Sequence, residues 1–136
     1  MRDRMRKPTL ILTTLIFFSV MFSPSTSFAG WTKVGENVRG TFYVDFERIK
    51  KHDGYVYFWV LTDYLKPDED GNFSAKIYNQ VDCKKFRYKW LSISGHKGPM
   101  GGGTGEIDNT PDKEWSYPPP DSSTEIVLKV VCQYVR

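Results

Sequence analysis

Cys83 and Cys132 are the only cysteines in the chain, and what they can become depends on the compartment the protein matures in. Met1 to Lys7 is basic, and Leu10 to Phe22 (LILTTLIFFSVMF) is a thirteen-residue apolar run. Ser23-Pro24-Ser25-Thr26 breaks that run, and Ser27-Phe28-Ala29 offers small residues at positions −3 and −1 of a cut before Gly30. This is the layout of a Sec-type export leader over residues 1–29. A retained anchor is the competing reading, but thirteen helical residues rise only about 20 Å against a hydrocarbon core of roughly 30 Å. The expectation is a single exported domain over residues 30–136, soluble, periplasmic or secreted, with no membrane span once the leader is gone. No cysteine lies near the cut, so the sequence offers no site for a lipid anchor there. Two distant cysteines in an oxidising compartment pair with each other. Closing a loop of about 50 residues stabilises by about 4 kcal/mol on chain-entropy grounds. The spacing is wrong for redox Cys-x-x-Cys chemistry, and no histidine stands near to complete a zinc site.

The formal charge of +3 hints at nucleic acid, and the hint fails. Arg2, Arg4, Arg6 and Lys7 against Asp3 supply all of it within the leader. The remainder is neutral, so the chain makes no general electrostatic claim on DNA or RNA.

Strand signals dominate the rest. Trp31 to Val34 and Thr41 to Val44 are short β-prone pieces, and Asp53-Gly54 is a hairpin-type turn signal. Tyr55 to Tyr64 (YVYFWVLTDY) alternates Val56, Phe58, Val60, Thr62 and Tyr64 against Tyr55, Tyr57, Trp59, Leu61 and Asp63. Both rows are largely apolar, which predicts a central strand covered on both faces over much of its length. Lys76 to Ile93 reads as a second long β region whose phase changes, with Ile77, Val81 and Cys83 on one parity and Phe86, Tyr88 and Trp90 on the other. An extra residue near Lys84-Lys85, a bulge or a bend, is needed to keep both sets on one face. Ser94 to Pro111 is crowded with glycine and reads as a long, mobile loop. Trp115-Ser116-Tyr117 reads as a short returning strand. Ile126, Val127, Val130, Val131 and Tyr134 form an apolar helical stripe, opened by the capping box Ser122-x-x-Glu125. The fold class expected is α+β: a twisted antiparallel sheet with one C-terminal helix packed on a face and tethered through Cys83 and Cys132.

Few residues point to chemistry. The run GHKGPMGGGTG lacks the Gly-Lys-Ser/Thr ending of a phosphate loop, and Asp68 to Asn72 breaks the calcium-loop pattern at its first and twelfth positions. Neither His52 nor His96 sits beside a nucleophile motif, so no catalytic residue, metal or cofactor is assigned. Lys84 to Trp90 is more telling, because alternation puts Lys85, Arg87 and Lys89 on one face. Read with His96 and Lys97 in the neighbouring Gly-rich loop, they form a candidate surface for an acidic protein or glycan partner. A merely solvated sheet face is the plain alternative. All four Trp and all eight Tyr lie beyond the leader, residue types that binding surfaces favour.

Several of these residues recur together in one family. Trp31, Tyr43-Val44-Asp45, Arg48-Ile49, Trp59-Val60-Leu61 with Asp63-Tyr64, Asp82-Cys83, Arg87, Met100-Gly101 with Gly103, Trp115, Pro120-Asp121-Ser122 and Cys132 stand in the order seen in the bacterial surface-adhesin protein E-like family. The chain resembles that family over nearly all of residues 30–136. The resemblance implies an exported, non-enzymatic module that adheres to extracellular-matrix protein or epithelium, with self-association into a homodimer. The alternative is a soluble periplasmic domain of structural or ligand-binding role with no adhesive function.

Overall fold

The computed structural model describes residues 30–136; residues 1–29, where the sequence predicts an export leader, lie outside them. Strands β1 (Trp31–Glu36), β2 (Gly40–Asp45), β3 (Lys50–His52), β4 (Tyr55–Tyr64), β5 (Ser74–Asp82), β6 (Arg87–His96) and β7 (Gly105–Asp108) precede one helix, α1 (Ser123–Tyr134). All the strands join one antiparallel sheet in the order β1-β2-β4-β5-β6-β7, with β3 also paired to β4. The expected α+β architecture is what forms.

The local chemistry explains the turns. Asp53 and Gly54 both have positive φ (51° and 85°), as a two-residue turn needs if its twist is to match the strands it joins. They close the β3–β4 hairpin, pairing His52 with Tyr55. The phase change between Ile77 and Trp90 has a larger cause than a bulge. Residues 83–86 reverse the chain, so the one long β region is two strands, β5 and β6, of a hairpin. Phe86 takes φ 53° to complete the turn and packs against the core. A bulge does occur, but in β6: Tyr78 pairs with Ser92 and Asn79 with Trp90, leaving Leu91 as the extra residue.

The Gly-rich stretch also departs from expectation. Ser94 to His96 still belong to β6, residues 99–101 make a 3-10 turn, and β7 returns along β6. The turn is held by a set of hydrogen bonds rather than left open. Ser74 Oγ donates to the Gly98 carbonyl at 2.7 Å and accepts from Gly101 N–H at 2.8 Å, while Met100 N–H donates to Asp63 Oδ1 at 2.7 Å. Gly101 has φ 78°, a conformation that strains any residue with a Cβ, and lies against the end of the Lys76 side chain. It also passes over Leu61, which explains why this residue is fully buried on the face away from the helix.

On the other face α1 builds the core. Phe42, Val44, Val56, Phe58, Val60 and Val81 from the sheet meet Val127, Leu128 and Val131 from the helix. The buried helical face is turned from the stripe read in the sequence: Leu128 is inside, whereas Ile126 is 39% and Tyr134 60% exposed. The sheet surface, rather than the helix's own apolar spacing, selects the face. The capping box forms, Ser122 Oγ accepting from Glu125 N–H at 3.1 Å; Glu125 Oε1 reaches back one residue further than expected, to Asp121 N–H at 3.1 Å. Cys83, in the β5–β6 turn, is bonded to Cys132 with the Cα atoms 5.7 Å apart, a normal disulfide separation.

Two stability outcomes follow. Leu128→Ala should cost about 3 kcal/mol in a urea titration, and Ile126→Ala under about 1 kcal/mol. Reversed costs would mean that the helix packs on the stripe read from the sequence. Replacing both cysteines by Ala should lower stability by about 4 kcal/mol, measured the same way.

Candidate functional site

The cations singled out in the sequence are not all on one surface. Lys85 is exposed in the β5–β6 turn rather than on a strand face, because the chain reverses there. Its N–H donates to Asp82 Oδ1 at 3.2 Å. Arg87 opens β6, and its Nε donates to Asp82 Oδ2 at 3.0 Å. The Arg87 guanidinium carbon stands 4.4 Å from the centre of the Trp115 ring, and Lys89 Nζ stands 4.8 Å from it. Two cations therefore share one indole, each contact contributing on the order of 0.5–1 kcal/mol. Trp115 is delivered to this position by the short returning segment, where Ser116 and Tyr88 exchange two backbone hydrogen bonds of 2.9 Å.

The pair does not stand alone. The Tyr55 ring lies 5.4 Å from Trp115. Trp59 and Tyr78 approach to 4.8 Å, Tyr57 and Tyr78 to 6.3 Å, and Gln80 Nε2 donates to the Tyr57 hydroxyl at 3.1 Å. The register puts Trp59 opposite Tyr78, Tyr57 opposite Gln80, and Gln80 opposite Lys89. The result is a strip of half-buried aromatics and cations across β4, β5 and β6 on the face that α1 does not cover. Burial, together with the neighbouring Tyr57, pushes the Tyr78 phenol above its ordinary value. The sequence expectation that both faces of β4 are covered holds at Leu61 and fails along Tyr57 and Trp59. The signal for the strip was present in the second row of β4. The return of Trp115-Ser116-Tyr117 was read in the sequence and forms as a single bridge to Tyr88, but which residues Trp115 meets there carried no local signal.

His96 and Lys97 lie at the opposite end of β6. Nε2 of His96 is 2.8 Å from Ser94 Oγ, and burial followed by the charge of Lys76 holds the imidazole below its ordinary value. Lys97 is exposed and donates to the Asp70 carbonyl. It borders an open groove shared with Asn72, Gly95, Thr104, Glu106 and Asp108. Within this groove Asp68 is fully used by its own turn, accepting from Asp70 and Asn72 N–H at 2.9 and 2.8 Å. Those bonds to Asn72 hold its carboxyl below the ordinary value. Among the described residues no group of three or more His, Cys, Asp or Glu is arranged to hold a metal ion, and no helix is long and apolar enough to cross a membrane.

A disulfide-clipped sheet with one face under a helix and the other bearing aromatics and cations describes a small binding domain. The family profile of surface-adhesin protein E matches residues 31–133, and the chain belongs to that family. Its fold is also similar to solved structures of Haemophilus influenzae protein E. Against one of them the TM-score is 0.59 at 18% identity, covering 83% of this chain and 92% of the other. A second crystal form gives 0.61 at 18%, with 83% and 95% covered. The protein E structure from the non-typeable organism gives 0.55 at 17%, with 82% of each chain covered. No curated protein gives a significant sequence match.

Asp82 is the anchor of the cationic end. Burial opposes its ionisation, yet the N–H groups of Lys85 and Lys84 and the Arg87 guanidinium together hold its carboxyl below the ordinary 3.8. A lowered native value means that the contribution is present above 3.8 and is lost as pH falls through the native value. The urea midpoint of the wild type should therefore fall on acidification more than that of Asp82→Asn, the gap between the two closing as pH drops through the native value. Parallel curves would show that Asp82 is not so held.

Proposed function

We propose that this protein is an exported, non-enzymatic binding module that takes an acidic protein or glycan onto the uncovered sheet face. Arg87 and Lys89 supply the charge, with Lys85 beside them in the turn. Tyr57, Trp59 and Tyr78 supply flat area on which sugar rings or side chains stack. His96 and Lys97 border a second contact region at the far end of β6. The single observation that carries this reading is the sharing of Trp115 by Arg87 and Lys89 beside the aromatic strip. Cations fixed on a ring lose little freedom when a partner arrives, so their charge acts at small entropic cost. Membership of a surface-adhesin family favours a partner outside the cell, an extracellular-matrix protein or a sulfated glycan among them.

The exported protein, presented to an array of matrix proteins and sulfated glycans, should bind in a salt-sensitive manner. Lys89→Glu should weaken that binding about tenfold, equivalent to about 1.4 kcal/mol, and Trp59→Ala should weaken it by a similar factor. Arg87 is the poorer choice for this test, since its loss leaves Asp82 without its ion pair. Binding unchanged in both variants would remove the sheet face from consideration. Cell fractionation supplies the second arm, because recovery of all the protein in the periplasmic extract would favour an envelope role without adhesion. Light scattering on the same material reports whether the partner meets one copy or a homodimer.

A further inference from the structure

Asp45, the last residue of β2, is 5% exposed. Arg48 Nε reaches one of its carboxylate oxygens, Oδ2, at 3.4 Å, from a side chain that is 75% exposed. The other oxygen, Oδ1, is buried and accepts no hydrogen bond among the described residues. A half-paired buried carboxylate is unfavourable, and such groups normally have a partner.

Gly30 stands in front of that oxygen. An atom at its Cβ position would lie 3.4 Å from Asp45 Oδ1 and 3.5 Å from Oδ2. The pairing of Trp31 with Asp45 at the start of β1 fixes Gly30 there. Gly30 is also the residue after the cut expected from Ser27-Phe28-Ala29. Hydrolysis of the Ala29–Gly30 bond adds one water, leaving a carboxylate on Ala29 and an amine on Gly30. That amine takes up a proton below about pH 8.

We propose that the α-ammonium of Gly30, created when the leader is removed, pairs with Asp45 and completes its buried ion pair. Processing then fastens the first strand of the sheet, and the precursor lacks this contact. The inference rests on the export reading, and its test separates the two.

The precursor is expressed in a bacterium that exports it, and the first residue of the recovered protein is read by mass spectrometry. Glycine-labelled protein then reports the titration of the Gly30 amine by NMR in wild type and Asp45→Asn. The expected first residue is Gly30, with its amine titrating about one pH unit above the 7.7–8.0 of a free terminus. A raised native value means that the stabilisation is present below pH 7.7–8.0 and is lost as pH rises through the native value. The thermal midpoint of the wild type should fall by about 5 °C across that window, and that of Asp45→Asn should not. If Asp45→Asn does not fold, selective transamination of the α-amine in the folded wild type to an uncharged carbonyl replaces it, with the same fall expected. A first residue other than Gly30 overturns both the cut and the pair. Gly30 with an amine at its ordinary value, or transamination without loss of midpoint, overturns the pair alone.

Discussion

The bond between Cys83 and Cys132 joins a four-residue turn to the last turn of the helix, and both sides of the sheet depend on it. A twelve-residue helix is marginal in water by itself, because nucleation costs more than so few hydrogen bonds return. Here its start is fixed by Ser122 and Glu125 and its end by the disulfide. Between those points Val127, Leu128 and Val131 are pressed onto Val44, Phe58 and Val81. The β5–β6 turn gains in return. Cys83 follows Asp82, whose carboxylate gathers Lys85 N–H and the Arg87 guanidinium, so the clip and the cationic end of β6 belong to one short segment.

One helix cannot cover two faces of a seven-stranded sheet, and the chain meets this differently along the far side. At one end the Gly-rich hairpin lies over Leu61, held by Ser74 and Asp63. At the other the returning segment brings Trp115 against Tyr55, Arg87 and Lys89. Between them Tyr57, Trp59 and Tyr78 cover one another only in part. A face closed at both ends and open in the middle is a consequence of having a single helix.

How far this was legible in the sequence depends on whether the signal was local. The leader pattern, the Asp53-Gly54 turn and the capping box are short-range features, and those that fall on described residues formed; the long-range cysteine pair was legible only because the chain has no other cysteine to offer. The helical face was misread by part of a turn because Ile126 and Leu128 are equally apolar; only the sheet decides between them. Two strands joined by a tight reversal look like one strand with a phase slip, since both shift the parity of the apolar residues. The clue that distinguishes them was Asp82, an acidic residue placed to accept from the N–H groups of the turn after it. Glycine content suggested an open loop between 94 and 111, because composition does not reveal that Ser74 and Asp63, far away in sequence, bind its backbone.

The bulge at Leu91 does more for the site than any single cation. Without that extra residue the alternation set by Ile93 would carry through to Lys89 and Arg87 and turn both toward the helix, where two buried charges would face Val127 and Leu128. The bulge sends Tyr88 and Trp90 to the core side and leaves Lys89 and Arg87 opposite Gln80 and Asp82, against Trp115. A strand of alternating cations and aromatics is ambiguous by itself, since either row can be the buried one. Here the register resets once within β6, and that reset puts the aromatic row on the core side and the cationic row on the face that the helix leaves uncovered.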